Sequence, residues 1–418
     1  MELSLTGNDA IAYAMKQLNP DVIAAYPITP STTIPEKISE YINSGLMDTE
    51  FISVESEHSA MAASIGASLA GARAMTATSS NGLMYMFEML HIASGLRTSL
   101  VLSLVTRAVS APLNIHNDHS DAMEMRNTGF IMLFSEDNQE AYDNFIIGTK
   151  LAEDQRISLP LAVVQDGYIV SHKNTNMEVL DDEVVKNFVG EYKRENTLLD
   201  KDNPVTYGAL DLPTYLFEHK KGQLDALIKS KDVLKKIDEE YEKISGRKYG
   251  FFEEYMLDDA ERVIVILGSG AGNVKDVVDD LREKGEKVGL LKIRLYRPFP
   301  GKEIINAINS KPNIKSIAVL DKVMPFGGEG GALYLDFASA LYTYGNDLDG
   351  DKDKKQYNVL NYIYGIGGRD FKPEYIYKVF EELKEEKQEG KHVRYLGLRG
   401  EKSNVCFKKY GRRYNKSL

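Results

Sequence analysis

Between residues 22 and 164, short apolar runs alternate with segments of helical period. Val22–Ala25, Glu50–Val54, Arg73–Thr78, Leu100–Val105 and Leu159–Val164 read as strands. Gly7–Leu18, Thr33–Ile42, Ser56–Ala70, Gly82–Ser94 and Asn138–Leu151 read as helices. Apolar strands separated by a helix each pair in parallel, because every crossover returns the chain to the same end of the sheet. The helices then cover both faces. The first half of the chain is therefore expected to be an α/β domain around a parallel sheet. Its helix near residues 56–70 carries Ala60, Ala62, Ala63, Gly66 and Ala67, small residues that permit close backbone approach.

The pattern breaks from Asn174 to Asp258, where charge runs, Asn203-Pro204 and a charged helix from Gln223 to Ile244 suggest a connecting arm with a solvated face. A second β/α unit starts at Arg262. Its first strand, Val263–Leu267, runs into Gly268-Ser269-Gly270-Ala271-Gly272, followed by a helix to Lys284 and strands at Val288–Ile293, Ser316–Leu320 and Val359–Tyr364. The glycines do not meet the G-x-G-x-x-G dinucleotide pattern, since Asn273 follows Gly272, so a plain tight βα turn is expected. Gly327–Gly331 and Gly365–Arg369 are expected at strand ends of the same unit. The organisation this gives is an α/β domain over 1–173, an arm over 174–258, a second α/β domain over 259–395 and a basic, partner-wrapping tail over 396–418.

Composition narrows the function classes. A formal charge of -11 argues against general nucleic-acid binding. No apolar run is long enough to span a bilayer, and Met1–Leu5 lack the basic start and apolar core of a secretion signal, so a cytoplasmic location is expected. The 418 residues contain one cysteine, Cys406. That excludes a disulfide within the chain, and a 4Fe–4S cluster normally takes four thiolates.

Chemistry-bearing side chains gather just beyond the first-half strands. Tyr26-Pro27-Ile28-Thr29-Pro30 follows Val22–Ala25; its prolines fix φ and remove two backbone donors, so the chain leaves the sheet in one rigid shape with Thr29 at its end. Val54-Glu55-Ser56-Glu57-His58 and Thr106-Arg107-Ala108-Val109-Ser110 follow two other strands. A hydroxyl, a carboxylate and a guanidinium at the carboxyl ends of three parallel strands can converge on one crevice, the usual ligand position in open α/β sheets. Taken singly they have plainer readings: a turn hydroxyl, a first-turn helix acid and a surface ion pair. Asp118, His119 and Asp121 suggest a metal cluster, but loop-stabilising hydrogen bonds account for them and no metal site is expected.

Tyr-Pro-Ile-Thr-Pro, Glu-Ser-Glu-His and Arg-Ala-Val-Ser-Ala-Pro, with Asn114–Asp121 and Ile293–Phe299, together resemble the alpha subunit of the 2-oxoacid:ferredoxin oxidoreductases, most of all the pyruvate enzymes. The resemblance covers nearly the whole chain. It implies a pyrimidine-type thiamine-diphosphate-binding domain followed by a transketolase C-terminal-like domain. It also implies the use of thiamine diphosphate, which supplies the electron sink that decarboxylation of a 2-oxoacid requires. Glu57 matches the family's glutamate, which hydrogen-bonds the pyrimidine and promotes its imino form; Glu55 is its competitor. Ile28 and Asn81 would also touch the cofactor, although many relatives carry Gln where Asn81 stands. Thr29 and Arg107 match positions that hold the oxoacid, where Arg107 suits bidentate capture of a carboxylate.

No Gly-Asp-Gly with a downstream Asn is present, and Asp166-Gly167 is too little to hold Mg²⁺ and diphosphate. The resemblance therefore implies beta-, gamma- and delta-type partner subunits that supply Mg²⁺, the diphosphate side and the 4Fe–4S clusters. Coenzyme A is the implied co-substrate and ferredoxin the electron acceptor. Pyruvate is the first-choice substrate; a branched-chain 2-oxoacid, 2-oxoglutarate or oxalate stays open. Two readings of another class, a self-contained transketolase-like enzyme and a non-catalytic scaffold, are disfavoured by the missing diphosphate motif and by the joint presence of Thr29, Glu57 and Arg107.

Overall fold

The computed structural model describes residues 1–345, 356–384 and 393–399. Cys406 and nearly all of the basic tail lie outside the described residues.

The first sheet has seven strands, ordered Leu295–Arg297, Ile131–Phe134, Leu161–Asp166, Val101–Thr106, Ala74–Thr78, Val22–Ala25 and Glu50–Ser53. All pair in parallel except Leu295–Arg297, which runs antiparallel to Ile131–Phe134. The three strands Ala74–Thr78, Val101–Thr106 and Leu161–Asp166 are buried at every residue, as strands covered on both faces should be. Strand order reverses at Val22–Ala25, which has the next strand in sequence on one side and the one after it on the other. A crevice opens at the carboxyl ends of strands at such a reversal. It is bordered here by the loops that begin at Tyr26, Val54 and Ser79.

Helices Gly7–Leu18 and Asn138–Glu153 pack together on one face. Helices Glu57–Leu69 and Phe87–Gly95 cover the other, in an apolar cluster that continues into the second domain. The helix expected over 82–94 is two helices, Ser80–Tyr85 and Phe87–Gly95, broken at Met86. The arm's principal element is Leu216–Ser245, longer than expected, with a buried stripe at Ala226, Ser230, Val233, Leu234, Ile237, Asp238 and Tyr241 that packs on Asn138–Glu153. Its charges are not all solvated, a correction to the expected face. Asp238 is 4% exposed and pairs with the buried Arg294 at 2.9 Å, because Arg294 lies in the second domain's strand exit beneath the helix and needs an acceptor there.

The second sheet is ordered Val393–Tyr395, Asn358–Ile363, Ser316–Asp321, Arg262–Leu267, Val288–Ile293 and Phe252–Tyr255, parallel apart from the last strand. It takes in Phe252–Tyr255 ahead of residue 259, and the chain then lends Leu295–Arg297 back to the first sheet. The two domains are thus tied through the sheet as well as through side chains. The glycine turn after Leu267 receives a carboxylate of the first domain: Ser269 donates to Asp166 Oδ2 from both its amide (3.3 Å) and its hydroxyl (2.5 Å). Gly268 has φ +69°, the left-handed conformation that glycine adopts freely and that brings the turn close to Asp166.

Candidate active site

Glu57 is the first residue of helix Glu57–Leu69, whose N-cap Ser56 accepts from the amide of Ser59 at 3.2 Å. The helix start turns the Glu57 side chain into the crevice, where it is 6% exposed. Among the described residues it has no hydrogen-bond or ion-pair partner. Across from it lies Gly82. A Cβ there would stand 2.6 Å from Glu57 Oε1 and 2.6 Å from Thr78 Oγ1, so only glycine lets helix Ser80–Tyr85 lie against the carboxylate. The hydroxyls of Thr78 and Ser79 are buried and unpartnered in the same neighbourhood. Glu55 is differently placed. It is exposed at the surface and accepts a short bond from the Ser59 hydroxyl, which lowers its pKa.

Arg107 follows strand Val101–Thr106 and is 7% exposed. Its Nη1 donates to the Thr29 carbonyl at 2.7 Å, while its Nε is shielded from solvent and unpartnered. Among the described residues no carboxylate pairs with it, and at 7% exposure it is not a surface group, so the surface-ion-pair reading does not hold. The guanidinium is oriented by one bond and keeps its other donors. The Thr29 side chain is exposed beside it, and the half-buried Ile28 fixes the turn by accepting at 2.8 Å from both the amide and the hydroxyl of Ser31. Asn81 is exposed, with Oδ1 accepting from the Ser110 amide at 3.1 Å.

The structure therefore brings the sequence-predicted residues together as two pairs on one sheet edge: Glu57 against the Asn81-Gly82 turn, and Arg107 against Thr29. Asp121 lies between the pairs, accepting from the amides of Ser80 (2.8 Å) and Arg107 (3.0 Å). Burial pushes its pKa up to about 8, against the pull of these backbone donors. Asp118 accepts from Ser120 and Gly367, so these loop carboxylates are occupied by hydrogen bonds.

Sequence reasoning missed a second buried ionic centre next to the crevice. Asp166, at the end of strand Leu161–Asp166, lies 2.7 Å from His119 Nε2 and accepts from Lys322 Nζ at 3.0 Å and from Ser269. Lys322 and Ser269 belong to the second domain. No local pattern announces a cluster assembled from residues 119, 166, 269 and 322; the only signal was an acidic or basic residue directly after an apolar strand.

The site's chemistry suits a nitrogen heterocycle. An unpaired, nearly buried carboxylate, two orphaned hydroxyls and a cleft that any side chain at position 82 would close are what a hydrogen-bonding ring needs. Among the described residues, no group of three or more metal-ligating side chains is present.

Comparison with known proteins gives the same picture. Residues 13–242 match the family described as pyruvate flavodoxin/ferredoxin oxidoreductase, thiamine diP-binding. Residues 260–376 match pyruvate:ferredoxin oxidoreductase core domain II. The chain is 48% identical to pyruvate synthase subunit PorA of Thermotoga maritima over 95% of this chain and 98% of the relative. It is 42% identical to pyruvate synthase subunit PorA of Pyrococcus abyssi, covering 95% and 98%. It is 40% identical to ketoisovalerate oxidoreductase subunit VorA of the same organism, covering 93% and 94%. Among solved structures, the 2-oxoglutarate:ferredoxin oxidoreductase from Magnetococcus marinus aligns with a TM-score of 0.71 at 19% identity, over 91% of this chain and 65% of that one. A split-gene transketolase aligns at 0.51 and 11% identity, over 91% and 98%. These two likenesses show the fold: a thiamine-type parallel-sheet domain followed by a transketolase-like one.

Proposed function

Because the chain belongs to the pyruvate:ferredoxin oxidoreductase family, we propose that it is the alpha subunit of a multisubunit enzyme. That enzyme converts pyruvate and coenzyme A to acetyl-CoA and CO₂, reduces ferredoxin, and runs in either direction. Thiamine diphosphate, when bound, supplies the electron sink for decarboxylation. Within this chain, Glu57 holds a proton-bearing nitrogen of the pyrimidine, with Ile28 and Asn81 flanking the ring. The observation that carries this reading is a carboxylate only 6% exposed, without a partner among the described residues, in a cleft that Gly82 keeps open.

Arg107 binds the carboxylate of the 2-oxoacid with donors that the protein leaves unfilled. The Thr29 hydroxyl adds a donor to the same substrate. Arg107 sits where water is largely excluded, so its bonds to a charged group are strong, whereas the exposed Thr29 hydroxyl adds less.

The rest of the site comes from elsewhere. The sequence holds no Gly-Asp-Gly motif for Mg²⁺ and diphosphate, and one cysteine is too few for a 4Fe–4S cluster. Beta-, gamma- and delta-type subunits supply these groups in the cytoplasm. No helix among the described residues is long and apolar enough to cross a membrane. A second substrate reading, a branched-chain 2-oxoacid, is favoured by one observation. The Pyrococcus abyssi subunits named for pyruvate and for ketoisovalerate are almost equally similar to this chain, at 42% and 40%.

Two measurements test the proposal. The complex purified from its native source should contain several subunits, thiamine, and iron carried by the other chains, and should turn over pyruvate faster than 2-oxoisovalerate. Calorimetry on the isolated chain should show weak thiamine diphosphate binding; tight, Mg²⁺-dependent binding by the lone chain would overturn the divided site.

A further inference from the structure

The amides of Arg107, Ala108 and Val109 are held by a single loop. The amide of Arg107 donates to Asp121 Oδ2 at 3.0 Å, that of Ala108 to the His116 carbonyl at 3.0 Å, and that of Val109 to Ser120 Oγ at 2.9 Å. Three successive N–H groups of a strand exit, which an adjoining strand would otherwise satisfy, are thus taken by residues 116–121. Asp121 does more than its neighbours. Fully buried, it also accepts from the Ser80 amide at 2.8 Å and, through Oδ1, from its neighbour Ala122 at 2.7 Å. Ser80 begins the turn that presents Asn81 and Gly82 to Glu57. This carboxylate therefore joins the strand exit of the substrate guanidinium to that of the pyrimidine cleft, beside two direct bonds, from the Ser80 hydroxyl to the Ala108 carbonyl at 2.8 Å and from the Ser110 amide to Asn81 Oδ1 at 3.1 Å.

The loop is in turn anchored to the second domain, which contributes none of the proposed contact residues. The Gly367 amide donates to Asp118 Oδ2 at 3.2 Å and the Gly368 amide to the Asn117 carbonyl at 2.6 Å. The Asn114 side chain donates from Nδ2 to the Gly367 carbonyl at 3.1 Å, and the His119 backbone amide to the Lys322 carbonyl at 2.8 Å.

We infer that Asp121 is a positioning residue: it sets the distance between Arg107 and the Asn81-Gly82 turn, and so between the bound 2-oxoacid and the pyrimidine side of the cofactor. The second domain holds that setting through the 114–121 loop. This inference rests on the assignment of Arg107 to the substrate carboxylate. Small displacements at such a spacing are costly, because a 1 Å misplacement of a reacting group can lose ~10²-fold in rate. In Asp121→Asn the amide N–H₂ either takes the place of Oδ2 and breaks the bonds from Ser80 and Arg107, or takes the place of Oδ1 and faces the Ala122 amide, so at least one of the three backbone bonds is lost.

The test is a double-mutant cycle on kcat and KM for pyruvate in the assembled complex, with Asp121→Asn, Arg107→Lys and both together. Asp121→Asn should raise KM roughly tenfold with thiamine occupancy retained, and should have little further effect in the Arg107→Lys background. Full additivity, or a loss that follows melting temperature alone, overturns the inference. If Asp121→Asn does not assemble, Ser120→Ala takes its place. It releases the Val109 amide and the bond from the Ser120 hydroxyl to Asp118, leaves the Asp121 bonds in place, and should raise KM a few-fold, again without effect in the Arg107→Lys background; an unchanged KM or an additive one refutes positioning by this loop. Arg107→Lys alone separates the two layers. An unchanged KM in that variant removes the substrate role of Arg107 and this inference with it, whereas a raised KM without coupling removes this inference only.

Discussion

Two buried ionic centres lie side by side at the carboxyl edge of the first sheet, and they are built oppositely. At the domain junction every oxygen of Asp166 is taken: Oδ1 by His119 at 2.7 Å, Oδ2 by Lys322 at 3.0 Å and by the Ser269 hydroxyl at 2.5 Å. Burial would raise its pKa, but Lys322 and His119 outweigh burial and hold the carboxyl well below the usual range. In the crevice, Glu57 has no partner among the described residues and Arg107 spends one donor on a carbonyl. Burying a charge is costly unless it is paired and hydrogen-bonded. A fold that completes one centre and leaves the next unfinished reserves the second for a ligand. The junction belongs to stability and the crevice to binding.

The largest effect that follows is at Glu57. Glu57→Gln should slow turnover of the assembled complex by about 10²–10⁴-fold, the usual worth of a positioned acid–base group. It should leave the melting temperature unchanged or slightly higher, because an unpaired buried charge has been removed. Glu55→Gln, at an exposed position, should leave both stability and turnover near wild type. A Glu57→Gln complex that is active but unstable would reverse the roles given to the two centres.

At the junction the signs exchange. Lys322→Met strips Asp166 of its permanent cation and should cost about 3–5 kcal/mol in chemical denaturation, the typical penalty for orphaning a buried ion. A loss below about 1 kcal/mol would show that His119 and Ser269 suffice. The pH dependence follows from the lowered Asp166 pKa. A depressed carboxyl contributes stability above its unfolded value, about 3.9, and loses it as pH falls toward the folded value. The stability gap between wild type and Asp166→Asn should therefore be flat from pH 8 to about 5 and close only below about pH 4. A gap that closes above about pH 5 would refute a depressed Asp166.

The same contrast explains what could be read in the chain beforehand. The crevice was legible because each of its parts is local: an apolar strand, then Pro-Ile-Thr-Pro, Glu-Ser-Glu-His or Arg-Ala-Val. The exit from a parallel strand assigns the edge without knowledge of its neighbours. Choosing Glu57 over Glu55 needed more than pattern, and burial separates them in the structure. The junction was invisible because Asp166 finds Lys322 more than 150 residues away. Arg294 and Asp238 were missed for the same reason; the arm helix was taken as solvated because nothing in its own sequence shows the arginine beneath it. The Met86 break in a helix of good period is likewise set by packing across the second core rather than by a local breaker.

The finest test of the comparison lies within the crevice. Arg107→Lys keeps the charge and loses the planar fork. If the unfilled donors of Arg107 await a carboxylate, KM for pyruvate should rise by about tenfold to over a hundredfold, which is roughly 1.5–3 kcal/mol for a lost charged hydrogen bond. Thiamine affinity should stay within a few-fold of wild type. Thr29→Val is milder, because the Thr29 carbonyl that orients Arg107 belongs to the main chain and survives the change. Only the hydroxyl is lost, a neutral donor worth about 0.5–1.5 kcal/mol, or about two- to tenfold in KM. The two residues meet one substrate group, so the double variant should lose less than the sum of the single losses. Strict additivity would mean that the two side chains hold different parts of the ligand. A defect confined to thiamine affinity would move both of them from the substrate to the cofactor.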